Sequence, residues 1–180
     1  MKLIDLKVKD FIAEIDSNSP APGGGSVSSF ASAMAVSLTK MVGHLTVDKK
    51  KFLALDQTIQ FEFKDVLTEL NLIKEELIKL TDQDTDAFNL VMAAYKLPKE
   101  TEDQKQHRHA QIQDATEEAI RVPLKVATLS LSALQQLDPL ITYGNSNPIS
   151  ELGGSILMLA AGGEGACMNV LINLGALKDD

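Results

Sequence analysis

The 180-residue chain has no tryptophan, a single cysteine and only 4% aromatic residues. With Cys167 alone no internal disulfide can form, and such usage fits a reducing compartment. With few rings available, the core of a chain that is 44% apolar must be built from Leu, Ile, Val, Ala and Met, a palette that favours closely packed helices. Basic charge is also short: 17 Lys and Arg stand against 25 Asp and Glu, for a net −8. Nucleic acid is thereby excluded as the main partner, since duplex affinity comes largely from cationic side chains neutralising phosphates. There is no Cys pair and no convergent His-carboxylate motif, so no zinc or iron site is expected. His107 and His109, two residues apart, cannot meet on one metal from a regular helix, and His44, near the end of the second helix, is expected either to meet the carbonyl end of that helix or to line a site. Long uncharged runs are missing too. Residues 27–45 carry Lys40 and His44, and residues 152–177 carry Glu164 and six glycines, so neither supplies the roughly 20 uninterrupted apolar residues of a membrane span. Both read as buried helices of a soluble core. The opening Met1-Lys2-Leu3-Ile4-Asp5 has no apolar stretch of the secretory kind, and a cytoplasmic location is expected.

What the chain does have is helical periodicity. Its length fits one domain, 1–180. Val8, Phe11, Ile12 and Ile15 recur at three- and four-residue steps, predicting a short amphipathic helix that ends near Asp16-Ser17-Asn18. Pro20 and Pro22 forbid its continuation, and three glycines follow. Residues 26–45 are small and apolar, with Ala31, Ala35 and Ser37 allowing close approach of a neighbour; this helix is expected to be central. After a capping segment at Thr46-Val47-Asp48, a long amphipathic pattern starts at Lys49 and runs on to Leu97-Pro98. A polar stretch, 99–108, reads as a solvated connection, and helix resumes near His109. Pro123 either kinks that helix or starts the next, which carries Leu124, Val126, Leu129, Leu131, Leu134 and Leu137. A turn-rich loop from Tyr143 to Pro148 precedes a last apolar helix over 150–174, for which Ser150 is a natural N-cap. No alternating pattern competes. The expectation is an all-α antiparallel bundle of five or six helices.

Three constellations can carry chemistry. In Ser19-Pro20-Ala21-Pro22-Gly23-Gly24-Gly25-Ser26 the prolines set the entry, the glycines permit positive φ and leave no side chain, and the following helix offers backbone N–H groups to a carboxylate or phosphate. It lacks the Lys-Ser or Lys-Thr of a P-loop and the preceding strand of a dinucleotide fingerprint, and a plain turn with a helix cap explains it equally well. In Asp82-Gln83-Asp84-Thr85-Asp86 the first and last carboxylates share a helix face and Asp84 points away from them. An acid held against an apolar wall becomes a usable proton donor or acceptor near neutral pH; a solvated face is the alternative. Asn145, Asn147, Ser150 and Glu151 surround the proline turn, and Asn169 and Asn173, four apart, present their amides on one face. Lys49, Lys50, Lys51, Arg108, Arg121 and Lys125 are the available anion partners.

Taken together, these residues resemble the cyclodeaminase domain of formiminotransferase-cyclodeaminase and its stand-alone bacterial relatives, which include methenyltetrahydrofolate cyclohydrolases. The likeness covers nearly the whole chain. It runs through Pro20-Ala21-Pro22-Gly23-Gly24-Gly25-Ser26, Asp84-Thr85-Asp86-Ala87-Phe88, Leu97-Pro98-Lys99, Val122-Pro123-Leu124 and Gly144-Asn145-Ser146-Asn147. It then continues from Ala160-Ala161 through Gly165-Ala166 to Asn169-Val170 and Ile172-Asn173-Leu174. The resemblance implies an all-helical homodimer that acts on a tetrahydrofolate derivative as substrate, with no tightly bound cofactor. It places Asp84 as the proton-transfer group, with Asp86 as substitute, and gives Pro22, Gly23, Gly24, Gly25, Ser26, Asn145, Ser150, Glu151 and Asn169 to folate binding. The implied reaction cyclises 5-formiminotetrahydrofolate to the 5,10-methenyl form with loss of ammonia. The alternatives are hydrolysis of that same bridge to 10-formyltetrahydrofolate, and non-catalytic folate binding. Two departures from the resemblance are Ser150-Glu151, where Ser-Asp is expected, and a chain ending at Asp180, where relatives generally continue through another helix.

Overall fold

A computed structural model describes residues 2–177; the chain end at Asp180 lies outside them. A 3-10 turn (Leu3–Asp5) leads into α1 (Val8–Ile15), α2 (Gly24–Val47), the single-turn α3 (Lys50–Leu53), α4 (Gln57–Tyr95), α5 (Glu102–Gln135), the short α6 (Asp138–Tyr143) and α7 (Ile149–Ala176). The all-α expectation holds. Four long helices, α2, α4, α5 and α7, form a square in which each packs on two neighbours. Ser29 with Leu77 and Lys40 with Asn71 join α2 to α4 in opposite directions, and Thr39 with Ser155 and the approach of Gly162 to Ser28 do the same for α2 and α7. Lys125 with Glu76 joins α5 to α4, and Asn173 with Ala119 joins α7 to α5.

The core matches the aromatic-poor composition. Val36, Val42, Leu70, Leu77, Leu80, Val126, Leu152 and Leu159 are fully buried, and two ring pairs close the ends, Phe11 on Phe30 at 5.0 Å and Phe52 on Phe63 at 4.8 Å. Small residues set the α2–α7 spacing. A methyl added at Gly162 would come within 2.9 Å of the Ser28 carbonyl, and one at Gly165 within 2.5 Å of the Ser28 hydroxyl. Backbones this close leave room only for short side chains, and several hydroxyls caught between helices are hydrogen-bonded. Ser29 donates to the Leu77 carbonyl (2.6 Å), Ser32 pairs with Ser130 (2.8 Å), and Thr39 donates to Ser155 (2.9 Å). These bonds remove the penalty that buried polar groups otherwise carry.

Several sequence expectations are corrected at the element boundaries. The pattern from Lys49 breaks at Ala54-Leu55-Asp56, because Asp56 accepts the Thr58 N–H (2.8 Å) and caps a new helix. The stretch 99–108 is mostly helix: Thr101 and Gln104 form a capping box that starts α5 at Glu102. Of the two readings of Pro123, a new helix start is excluded. The proline sits inside α5, and its missing N–H frees the Ala119 carbonyl four residues back, which the Asn173 side chain occupies from α7 (2.7 Å). Ser150 is not a cap; α7 begins one residue earlier, with Pro148 at the cap position and no side-chain cap bond. The last helix is also less buried than expected, because only one side of α7 packs on the square. Leu157 (73% exposed), Met168, Leu171 and Ile172 stand uncovered on the other.

Candidate active site

The first turn of α2 abuts the C-terminal half of α4, and Asp84 is the contact. Its Oδ2 accepts the Ser26 backbone N–H at 2.7 Å and the Ser26 hydroxyl at 3.0 Å. One of the four N–H groups that a helix start leaves without an intrahelical acceptor is thereby bonded by a carboxylate from another helix, at the positive end of the helix dipole. The Ser26 hydroxyl also lies 3.1 Å from that of Thr85. With its own proton on Asp84, the Ser26 oxygen accepts from Thr85, which makes a directed chain of hydroxyls.

The glycines are needed for space. No glycine has a positive φ, contrary to expectation. A methyl at Gly25 would lie within 2.6 Å of Asp84 Oδ2, and one at Gly24 would lie 2.9 Å from Asn169 Nδ2, whereas Gly23 has room. Pro22, buried and preceded by a cis Ala21–Pro22 peptide, brings the chain into this turn. Gly24, at the helix start, is exposed, and its N–H has no acceptor among the described residues. Asn169 borders the same turn and donates to the Gly165 carbonyl (2.9 Å).

Two opposing influences act on the Asp84 proton. Burial penalises the charged form and is the larger; the bonds from the Ser26 hydroxyl and amide favour the charge. The outcome is a carboxyl held above the ordinary aspartate range, a direction suited to a group that gives and takes a proton. Neither of its neighbours in the acidic run shares this setting. Asp82 accepts the Leu3 N–H (2.5 Å) and ties the N-terminal turn to α4, and Asp86 is exposed.

Pro22, Gly23, Gly24, Gly25, Ser26, Asp84 and Asn169 are thus brought together, whereas Asn145, Ser150 and Glu151 are not. Asn145 lies against the far end of α2, its N–H on Thr46 Oγ1 (2.9 Å) and its amide on the Leu45 carbonyl (3.2 Å). Ser150 and Glu151 follow in the first turn of α7. Ser26 and Thr46 are twenty residues apart on one helix, about 30 Å at 1.5 Å per residue. The sequence-predicted site is therefore split between the two ends of the bundle. Thr85 was not singled out from the sequence, although its place beside Asp84 in the acidic run was the available signal.

A family model described as formiminotransferase-cyclodeaminase matches residues 7–180. The chain belongs to that family. The formimidoyltransferase-cyclodeaminase of Rattus norvegicus is 34% identical over 99% of the chain, and the chain spans about a third (32%) of that relative's length. The methenyltetrahydrofolate cyclohydrolase of Methylorubrum extorquens is 33% identical over 96% of the chain and 81% of the relative. Among solved structures, the formiminotetrahydrofolate cyclodeaminase of Thermotoga maritima superposes with a TM-score of 0.83 at 30% identity, covering 97% of this chain and 81% of that one. The match spans the glycine turn, the acidic run and both asparagine-bearing segments.

Proposed function

We propose that the chain is a folate one-carbon enzyme that cyclises 5-formiminotetrahydrofolate to 5,10-methenyltetrahydrofolate with release of ammonia, working as a cytoplasmic homodimer without a tightly bound cofactor. The observation that carries this reading is Asp84, half-buried at an open glycine turn with its proton affinity raised and its Oδ2 anchored by Ser26. In the reaction N10 of the substrate attacks the formimino carbon, and a tetrahedral carbon forms between two nitrogens. N10 must then lose its proton and the departing amino group must gain one. A single carboxyl that accepts the first and delivers the second balances the step, and Asp84 has the environment for it. The Ser26–Thr85 hydroxyl pair holds Asp84 in one orientation, and the free Gly24 N–H at the rim offers a donor to a carbonyl of the ligand. The positively charged methenyl product is favoured beside a carboxylate.

Hydrolysis of the methenyl bridge to 10-formyltetrahydrofolate is the second reading, supported by the likeness to the Methylorubrum extorquens cyclohydrolase. It uses the same group, as the carboxylate, to take a proton from the attacking water and return it to N5 as the bridge opens. The uncovered side of α7 supports the homodimer, since four large apolar side chains on one helix face are otherwise left in water. The deciding experiment incubates the protein with 5-formiminotetrahydrofolate and, separately, with 5,10-methenyltetrahydrofolate while following methenyl absorbance and ammonia. Rising absorbance with ammonia release supports the cyclodeaminase. Falling absorbance above the uncatalysed rate assigns the hydrolase instead, and binding without turnover leaves a folate-binding protein.

A further inference from the structure

The hydroxyl of Ser26 is fully buried and is shared between two side chains of α4. It lies 3.0 Å from Asp84 Oδ2 and 3.1 Å from Thr85 Oγ1, while the Ser26 N–H meets the same Oδ2 at 2.7 Å. Neighbours on a helix diverge by about 100°, so Ser26, facing both from α2, is what links them. A hydroxyl has one proton to donate, and the charge on Asp84 therefore decides the direction of both contacts. An ionised Asp84 can only accept. Ser26 then donates to the carboxylate, and the donor left for the 3.1 Å contact is the Thr85 hydroxyl. A protonated Asp84 imposes no such order, because the Ser26 hydroxyl is free to turn towards Thr85.

The direction has an energetic consequence. A donor behind Ser26 polarises its O–H, and hydrogen bonds in such a row strengthen one another where water is scarce. The charged form of Asp84 gains from this and the neutral form does not. Burial and the two Ser26 bonds are the influences on the Asp84 proton, and no charged side chain is among them. Asp82 accepts the Leu3 N–H, Asp86 is exposed, and α7 contributes Asn169, an uncharged amide, to the same turn. With no cation acting on it, the carboxylate depends on the Ser26 donors and on what stands behind them.

We propose that Thr85 is a positioning residue for proton transfer: by donating to Ser26 it steadies the charged form of Asp84 and sets the pH at which that group passes between acid and base. The inference rests on the reading of Asp84 as the proton-transfer group, and Thr85 acts on it through Ser26.

The test follows the Asp84 carboxyl by carbon-13 NMR titration of the full chain, the signal being assigned by its loss in Asp84→Asn. Thr85→Val keeps the shape of the side chain and removes the donor. The Asp84 midpoint should then rise by about half a pH unit, the share that one supporting bond adds to a charge-assisted one. Thr85→Ser, which keeps the hydroxyl, should return it. In a Ser26→Ala background Thr85→Val should move the midpoint no further, since the link is already gone. The acidic limb of the kcat/KM profile should shift with the midpoint, with about three-fold lower kcat/KM below it and no loss well above it. An unmoved midpoint in Thr85→Val, or the same rise with Ser26→Ala already in place, overturns the proposal. Thr85→Ala provides the same comparison should valine disturb the helix. A chain that shows the shift but converts neither folate substrate keeps the hydroxyl row and removes only the catalytic reading of Asp84.

Discussion

Asp84 joins two properties that oppose each other, a carboxylate-type anchor on Ser26 and a raised proton affinity from burial. Asp84→Asn keeps the size and the bonding position of the side chain but cannot carry the proton. Turnover should fall by about 100-fold or more, the usual worth of a positioned acid or base, with circular dichroism unchanged; near-normal turnover would remove the assignment. The same variant reports on stability. Because the folded state holds the Asp84 proton more tightly than the unfolded state, the native protein loses stability as pH rises from the ordinary aspartate range through the raised Asp84 value. Glu76 has its proton affinity lowered, first by its bond from Lys125, and acts with the opposite slope, so the comparison must be made against Asp84→Asn, which retains Glu76. In urea unfolding, the unaltered chain should lose ground to Asp84→Asn across that window, and a difference that does not change with pH would contradict the shift. Gly25→Ala tests the close approach. Alanine gains about 1 kcal/mol of helix propensity, but the methyl falls within 2.6 Å of Asp84 Oδ2, and overpacking costs about 1–3 kcal/mol. The clash should win, giving lower stability together with lost turnover; a stabilised, active variant would show that the turn yields freely.

At the scale of elements, α5 shows how a helix tolerates an internal proline. Pro123 leaves the Ala119 carbonyl without its usual donor, and Asn173 supplies one from the neighbouring helix. Asn173→Ala should therefore cost about 1 kcal/mol, the worth of one half-buried hydrogen bond. In a Pro123→Ala background the restored N–H closes the α5 bond itself, so the cost of Asn173→Ala should shrink. A double-mutant cycle by denaturant unfolding reads the coupling, and additive losses would mean that Asn173 acts elsewhere. The proline and the asparagine were both visible in the chain, but only the α5–α7 packing pairs them. Helix existence was legible from apolar spacing. The boundaries were not, because the breaks at Asp56 and Thr101 depend on which polar side chain turns back onto the backbone.

For the whole molecule, the open question of assembly turns on α7. A glutamate placed at Leu157, whose side chain is 73% exposed in the single chain, should leave the bundle folded while preventing association through that face. Sedimentation velocity should then show half the mass of the unaltered protein; an unchanged mass would exclude this face as the interface.

The amino-acid order by itself determined the helical class, the central place of the small-residue helix, the glycine turn and the family, because these follow from periodicity, residue size and short motifs that act within a few positions. Only the tertiary structure decided that Asp84, of the three aspartates in the acidic run, is the one bonded to α2, that the glycines serve close approach with no positive φ, and that Asn145, Ser150 and Glu151 sit far from that contact. Local spacing carries no information about which ends of two antiparallel helices meet, so distances across the bundle arise only when the helices pack.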